Sequence, residues 1–300
     1  PVGTAYSVKV LESIILYSDC SIENLTDFIL EAKKFCEPKK DSRVICRVLK
    51  NTSWQLISRL PKRKKDTIFL DNNIKDEIFA DIEKFMKSEN VYLEYGMPYK
   101  RNYLLEGPPG TGKTSLIFTV ASEFNLDIAI ISFGPKIDDT TFMTAISNLP
   151  NNTLLLLEDI DALFIERKNS GENNSMVSFS GVLNVLDGIA RKNKMITFMT
   201  TNFVNKLDNA LKRPGRIDYI IRFEYATKSQ INEMFNTFFP ELGKIDKQII
   251  DKLLKYNVTT SMLQKYLFEN REVKDIIGKI DELYTLCKDN LEEKGNNLYM

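Results

Sequence analysis

The chain has 300 residues, enough for two domains, and its 43% hydrophobic and 27% charged residues are typical of globular proteins. Its 41 basic and 41 acidic side chains balance, so the net charge gives no general attraction to nucleic acid or to anionic membranes. The absence of histidine from the sequence excludes Ser-His and Cys-His catalysis and the common zinc sites.

The four cysteines have no C-x-x-C spacing, which indicates free thiols in a reducing compartment, with one disulfide among Cys20, Cys36 and Cys46 as the alternative. No apolar run approaches the roughly 20 residues that cross a bilayer, and no signal peptide is recognisable. We therefore expect an intracellular protein without a transmembrane segment, cytoplasmic by default. Membrane or mitochondrial association is expected only if an N-terminal anchor is missing from this chain.

Residues 1–60 predict a small α+β region. Apolar residues recur at helical spacing within 21–36, and Ser21 can cap that helix. Two stretches with strand patterns follow, RVICRVL and SWQLISRL. The basic run PKRKK at 61–65 is interpreted as a solvated linker, with contact to phosphate or to a partner as the alternative.

Residues 61–226 predict an α/β domain. A first helix is expected after Asp71, a candidate cap, from apolar residues at helical spacing: Ile74, Ile78, Ile82 and Phe85. Strand and helix patterns then alternate, with strands at YLLEG, DIAIISF, TLLLLED and KMITFMTTN, which predicts a parallel sheet with flanking helices. From 227 to 300 only amphipathic helix patterns occur, which predicts a small helical lid domain.

The stretch GPPGTGKTS fits the phosphate-binding pattern G-x-x-x-x-G-K-[ST], between a predicted strand and a predicted helix. Its glycines let backbone N–H groups point at phosphates, and the helix adds the positive end of its dipole. Lys113 can reach the β- and γ-phosphates of ATP, and the Thr114 hydroxyl can bind Mg²⁺. The predicted nucleotide-binding residues are Gly107, Pro108, Pro109, Gly110, Thr111, Gly112, Lys113, Thr114 and Ser115.

The strand LLLL at 154–157 ends in two carboxylates, Glu158 and Asp159. A strand buried on both faces is continuously apolar, and ligands bind outside the carboxyl ends of such strands. In P-loop ATPases the usual order here is Asp and then Glu. The reversed order leads us to predict that Glu158 approaches Mg²⁺ through water and that Asp159 is the general base. A solvated turn after a core strand is the structural alternative.

Five stretches carry a family resemblance in this order: GPPGTGKTS, LLLLEDIDALF, FSGVLNVLDGI, FMTTN and LDNALKRPGRID. Together they resemble an AAA-family ATPase. More narrowly, they are similar to the subfamily of the mitochondrial cytochrome bc-complex assembly chaperone, a Rieske-protein translocase. The resemblance extends from about Trp54 to Tyr266. The subfamily has the same order of Glu and Asp, which implies that the reversal is a subfamily trait.

The resemblance also implies roles for residues outside the phosphate loop. Asn202 matches the sensor that positions the attacking water. Arg213 and Arg216 match arginine fingers, which act on the nucleotide of a neighbouring subunit and therefore imply a homo-oligomeric ring, a hexamer or a heptamer. Asp161 matches an acid that supports the site or the subunit interface. The pore loop corresponds to Phe133, Gly134, Pro135 and Lys136, with Phe133 equally suited to the core.

Three functions remain open from the sequence. The leading one is an ATP-hydrolysing ring motor that remodels or translocates a protein substrate. The second is a motor on nucleic acid, which the balanced charge and the lack of a recognisable DNA-binding element disfavour. The third is a nucleotide-binding scaffold that hydrolyses weakly because of the shorter base at Asp159.

Overall fold

In a computed structural model of the chain, the described residues are 17, 19, 21–36, 43–50, 52–70, 72–133, 137–165, 177–187, 194–203, 207–211, 213 and 215–296. The chain divides into two units, residues 1–42 and 43–300. In the first unit, helix α1 (Ile22–Cys36) begins where the sequence predicts, and Ser21 Oγ accepts a hydrogen bond from Asn24 N at 3.3 Å. The side chains of Phe28 and Ile29 on α1 are exposed.

The second unit contains a seven-stranded sheet in the order β2-β1-β4-β5-β6-β3-β7. The strands are β1 (Arg43–Lys50), β2 (Ser53–Pro61), β3 (Lys100–Glu106), β4 (Asp127–Ser132), β5 (Thr153–Glu158), β6 (Met195–Thr201) and β7 (Tyr219–Arg222). The pair β1–β2 is antiparallel and the other pairs are parallel. The α/β class with a mainly parallel sheet is confirmed.

Strands β1 and β2 belong to this sheet, because β1 pairs with β4 through Cys46, Arg47 and Val48. This differs from the predicted N-terminal region ending at residue 60. Pairing between strands about 80 residues apart leaves no local trace in the sequence, which is why the hairpin could not be assigned to the sheet in advance.

Helices cover both faces of the sheet. On one face lie α2 (Asn72–Lys87) and α4 (Lys113–Glu123), and on the other lie α5 (Asp139–Ser147) and α7 (Phe179–Leu186). The predicted core strand β5 packs against helices on both faces of the sheet. Leu154 and Leu156 belong to the apolar core on the side of α2 and α4, and Leu155 and Leu157 to that on the side of α5 and α7. All four side chains are 0% exposed. Two short helices, α3 (Glu89–Glu94) and α6 (Ala162–Ile165), complete this part.

A helical group follows the sheet, consisting of α8 (Lys228–Phe238), α9 (Lys247–Lys255), α10 (Thr260–Glu269) and α11 (Ile280–Asn296). These helices share an apolar core of their own that includes Ile231, Phe235, Leu253 and Leu267. Thr227 and Gln230 form a capping box at the start of α8. Gln230 Nε2 also donates to the carbonyl of Phe69 at 3.0 Å, which ties the group to the segment before α2.

The basic run at 61–65 is mostly engaged within the chain. Lys62 donates to Asn125 Oδ1, and the Arg63 guanidinium donates to the Thr67 carbonyl at 3.0 Å. Lys65 pairs with Asp76 at 3.0 Å. These contacts favour a structural role over a phosphate track. The candidate cap Asp71 lies outside the described residues.

Cys46 and Cys287 are free and buried, and burial raises the pKa of both thiols, that of Cys287 to about 11. Their side chains are each 1% exposed. Among the described residues, none of the helices is both long enough and apolar enough to span a membrane.

Candidate nucleotide-binding site

The phosphate loop connects the carboxyl end of β3 to the start of α4. Gly107, Gly110 and Gly112 all have positive φ, at 144°, 79° and 103°. Gly107 needs this freedom most, because a Cβ there would lie 2.0 Å from the carbonyl oxygen of Phe223. The loop therefore curls in the manner that the motif predicts, closely against the segment that follows β7.

Gly107→Ala is expected to lower the melting temperature by several degrees. The added methyl meets backbone, and strained residues of this kind cost about 1–3 kcal/mol each. Gly96→Ala is the matched control, because Gly96 also has positive φ, at 63°, yet a Cβ there meets nothing within 4 Å. Thermal unfolding of both variants tests this, and equal losses would contradict the close packing of the loop.

Lys113 is 8% exposed, and its ammonium donates three hydrogen bonds. The acceptors are the carbonyls of Gly107 at 2.6 Å and Pro108 at 3.0 Å, and Asn202 Oδ1 at 2.8 Å. Burial lowers the pKa of Lys113, and the nearby charges of Asp159 and Asp161 oppose this shift. The side chain is thus held at the centre of the loop, where a phosphate group can replace the carbonyls as acceptor.

The two acids at the end of β5 have different surroundings. Glu158 is partly buried and accepts a hydrogen bond from Ser132 Oγ at 3.2 Å. Asp159 is exposed and has a φ of +46°, an unusual conformation for a residue other than glycine. Its backbone N–H donates to Thr200 Oγ1 at 3.1 Å, which stabilises the turn. This turn directs the Asp159 carboxylate towards Asn202, whose Nδ2 lies 3.4 Å from Asp159 Oδ1.

Asn202 follows β6 and connects Lys113 with Asp159 through its amide group. Asp161 lies beneath it and is 5% exposed. Asp161 Oδ1 accepts from Thr201 Oγ1 at 2.7 Å and from Asn202 N at 3.4 Å. Asp161 therefore supports the position of Asn202, one of the two roles that the sequence left open.

These groups line one cleft of about 320 Å³ at the carboxyl edge of the sheet. The cleft brings together the predicted residues Pro109, Gly110, Gly112, Lys113, Thr114, Ser115, Glu158, Asp159 and Asn202. The sequence did not anticipate Thr200, nor Thr260, Ser261 and Gln264 of α10, which also line it. Ser261 N donates to the Gly110 carbonyl at 3.0 Å. The only local signal for the three α10 residues was that they are polar residues of a helix predicted to be amphipathic.

A second cavity, of about 280 Å³, lies on the other side of the phosphate loop. Thr111 borders it. The apolar lining includes Leu70, Ile74, Ile221 and Phe223, and the polar lining includes Arg222, Glu224, Thr227 and Gln230. Thr111 is 2% exposed and donates to the Pro108 carbonyl at 2.8 Å. The phosphate loop therefore borders two spaces, a cleft that carries Lys113, Glu158 and Asp159 and a cavity with both apolar and polar lining.

Arg213 and Arg216 lie near the amino ends of the parallel strands, whereas the cleft lies at their carboxyl ends. Asn102 Nδ2, near the start of β3, donates to the Arg216 carbonyl at 2.8 Å, whereas the phosphate loop begins where β3 ends. At about 3.3 Å per residue, the five steps along the chain from Asn102 to Gly107 measure roughly 17 Å. Neither arginine therefore borders the chain's own cleft.

The two arginines also differ from each other. The Arg216 guanidinium forms two hydrogen bonds with Asp187, both 2.8 Å, and donates to the Ala210 carbonyl at 2.9 Å. The pairing with Asp187 raises the pKa of Arg216 and lowers that of Asp187. Arg213 is exposed. Of the two, Arg213 is the one presented to solvent.

The predicted pore loop is described only at Phe133. Its ring is partly buried and lies 6.0 Å from that of Phe142, between centroids, as part of the core on that face. This agrees with the core alternative for Phe133. Gly134, Pro135 and Lys136 lie outside the described residues.

Comparison with known proteins places these features in a family. The model of the family named "ATPase family associated with various cellular activities (AAA)" matches residues 103–225. "Probable mitochondrial chaperone bcs1" of Schizosaccharomyces pombe is 35% identical over 250 residues, 82% of this chain and 56% of that protein. "Probable mitochondrial chaperone BCS1-B" of Dictyostelium discoideum is 32% identical over 291 residues, which are 86% of this chain and 63% of that protein. "Mitochondrial chaperone BCS1" of Homo sapiens is 34% identical over 219 residues, which are 70% of this chain and 52% of that protein.

The chain thus spans about half to two thirds of the length of these relatives. Their names overturn one expectation from the sequence: a cytoplasmic location by default is wrong, since each of these relatives is named a mitochondrial chaperone. The chain belongs to the AAA family and, within it, is similar to the BCS1 chaperones.

Proposed function

We propose that this chain is the ATPase part of a homo-oligomeric ring, a hexamer or heptamer, that uses ATP hydrolysis to remodel or translocate a protein. The observation that carries the proposal is the cleft in which Lys113, Asp159 and Asn202 converge on the phosphate loop. A cation, a carboxylate base and an amide within one cleft are the groups that phosphoryl transfer to water requires.

The two spaces on either side of the phosphate loop support ATP as the ligand. The polar cleft suits a triphosphate, because it offers the Lys113 ammonium and the N-terminus of α4. The cavity beside Thr111 suits an adenine ring, because it offers apolar side chains for the ring faces and polar groups for its edge, and residues from α2, β7 and the lid would surround it. We propose that binding of one nucleotide across the loop fills both.

Mg²⁺ fits the oxygen donors in the cleft. The Thr114 hydroxyl and the Glu158 carboxylate both line it, and Mg²⁺ prefers a few such ligands together with water and phosphate oxygens. The part of the chain that the structure describes contains no group of three or more acidic, His or Cys side chains suited to a metal. Water and nucleotide would therefore supply the remaining ligands. When bound, the ion neutralises charge on the β- and γ-phosphates.

Asp159 is proposed to accept the proton of the attacking water, while Asn202 orients that water and senses the γ-phosphate. The 3.4 Å separation between Asn202 Nδ2 and Asp159 Oδ1 supports a shared water, because one molecule can bond to both groups. Glu158 lies one residue earlier, next to Ser132, which suits a role in holding the Mg²⁺ shell. The reversed order of the two acids thus retains both functions.

The distance between the arginines and the cleft supports the proposed ring. Arg213 lies at the amino edge of the sheet, so its guanidinium is proposed to serve the nucleotide of the neighbouring subunit. The relatives are named mitochondrial chaperones, which supports a protein substrate and a mitochondrial location. The contacts that engage Lys62, Arg63 and Lys65 within the chain give no support to nucleic acid as the substrate.

Steady-state hydrolysis of Mg-ATP by the purified protein tests the proposal, with ring assembly followed by light scattering. We expect turnover that unfolded polypeptides stimulate and that DNA and RNA do not. Lys113→Ala is expected to remove both ATP binding and turnover. ATP binding without turnover in an assembled ring would reject the motor in favour of a scaffold, and stimulation by nucleic acid alone would reject a protein substrate.

A further inference from the structure

The strand that leads into the phosphate loop also holds the segment that carries the arginines. Near the start of β3, the Lys100 ammonium donates to the carbonyl of Leu186 and to that of Gly215, the latter at 2.9 Å. Two residues later, Asn102 Nδ2 donates to the carbonyl of Arg216 at 2.8 Å. Two neighbouring carbonyls of one segment are thus held by side chains of a single strand.

Backbone contacts place this segment beside β3 as well. Asp218 N donates to the Asn102 carbonyl at 2.9 Å, and Asn102 N donates to Asp218 Oδ2 at 2.8 Å. Arg216 N donates to the Arg213 carbonyl at 3.2 Å, which closes a tight turn. We name Arg213, Gly215 and Arg216 the arginine turn. Its carbonyls at Gly215 and Arg216 bond to β3, while the Arg213 side chain is exposed.

Asn102 is an unusual residue for its position. It is 0% exposed within a strand whose next three residues, Tyr103, Leu104 and Leu105, are apolar core. Its Oδ1 is buried without a hydrogen-bond partner among the described residues, as is Thr197 Oγ1 on the paired strand. A buried amide costs free energy unless its hydrogen bonds are made. The bond that this side chain does make goes to the arginine turn.

Lys100 also contacts the arginine turn, through the carbonyl of Gly215. Burial lowers its pKa, and the charges of Asp187 and Asp218 oppose that shift. Asp187 in turn pairs with the Arg216 guanidinium, so two sets of polar contacts hold the turn: Lys100 with the Gly215 carbonyl, and Asp187 with Arg216. These contacts fix the backbone of the turn and the Arg216 side chain, whereas Arg213 is exposed.

We propose that Lys100 and Asn102 are positioning residues for the arginine that acts on the neighbouring subunit's nucleotide. They hold the arginine turn, so that Arg213 enters the adjacent site at a defined position. This inference rests on the proposed ring. A misplacement of about 1 Å of a group that stabilises charge in the transition state can cost on the order of 100-fold in rate.

The first test compares Lys100→Met and Asn102→Leu with Lys194→Met. Lys194 precedes the adjacent strand β6, so its variant controls for loss of a lysine at the same edge of the sheet. We expect kcat for ATP hydrolysis to fall about 10- to 100-fold in the first two variants, with KM unchanged. Lys100→Arg should restore most of the rate because it retains the donor. Wild-type kcat in both variants would overturn the proposal.

The second test uses mixed rings, which separate a misplaced arginine from a damaged phosphate loop. Each variant is mixed with Lys113→Ala subunits, which keep an intact arginine turn, and separately with Arg213→Ala subunits, which keep an intact cleft. We expect hydrolysis to recover with Lys113→Ala alone. Recovery with Arg213→Ala alone would mean that the substitutions damage their own cleft, which overturns the proposal.

The mixture of Lys113→Ala with Arg213→Ala checks the proposed function on its own. Both subunits are inactive alone if the arginine acts between subunits, and mixing should restore activity. If this mixture stays inactive although wild-type rings hydrolyse ATP, the intersubunit arginine is wrong, and the positioning role of Lys100 and Asn102 is rejected with it.

Discussion

Asp159→Asn is expected to reduce the rate of ATP hydrolysis on the order of 1,000-fold while ATP binding is retained. Asparagine keeps the size of the side chain and can accept the hydrogen bond from Asn202 Nδ2, but it cannot accept a proton at neutral pH. Loss of a negative charge next to the phosphates should strengthen ATP binding slightly. Single-turnover hydrolysis and equilibrium nucleotide binding measure the two effects separately.

Glu158→Gln is the matched control for this substitution, since it changes the neighbouring acid in the same way. If Glu158 holds the Mg²⁺ shell, its variant should need a higher Mg²⁺ concentration for half-maximal activity and should recover rate when Mg²⁺ is raised. Asp159→Asn should not recover under these conditions. The opposite pattern would assign the base to Glu158 and would show that the reversed order of the acids does not exchange their roles.

Arg213→Ala is expected to lower kcat on the order of 1,000-fold without a change in nucleotide affinity, because an arginine acting between subunits stabilises charge that develops only in the transition state. The melting temperature should stay near that of the wild type, since Arg213 is exposed. Measurements of kcat, of ATP affinity and of ring assembly at the same protein concentration test this expectation.

Arg216→Ala provides the comparison. Arg216 bonds to Asp187 and to the Ala210 carbonyl, so its removal should cost about 1 kcal/mol of stability, a modest value because Asp187 is exposed to screening by water. Asp187→Asn should then reproduce the change in melting temperature. Loss of hydrolysis in Arg216→Ala at an unchanged melting temperature, with a normal Arg213→Ala, would make Arg216 the acting residue.

The phosphate loop could be predicted from residues that are close together in the sequence. Its glycines, Lys113 and Thr114 follow one another along the chain, so spacing alone predicts the turn between β3 and α4. The same holds for β5, whose four leucines predict a strand buried on both faces. Asn202 was assigned from a family resemblance, and its contact with Lys113 spans 89 residues.

Other parts of the site depend on contacts that no local pattern encodes. The backbone N–H of Ser261 in α10 donates to the carbonyl of Gly110, which is distant in the sequence. The hydroxyl of Ser132 at the end of β4 donates to Glu158 at the end of the neighbouring strand β5. The basic run at 61–65 suggested solvent or phosphate as its surroundings, yet Lys62, Arg63 and Lys65 find partners within the chain. Such partners become known only once the order of the strands is known.

The sequence by itself determined the α/β class, the phosphate loop and the acids that face it, because each follows from hydrophobic periodicity or from residues close together in the chain. Only the tertiary structure decided that β1 and β2 join the central sheet and that β3 lies between β6 and β7. That strand order brings Asn102 to the arginine turn and separates Arg213 from the chain's own cleft. The physical reason is that strand pairing joins residues far apart in the chain, such as Tyr103 of β3 and Tyr219 of β7, through backbone groups that every residue carries alike.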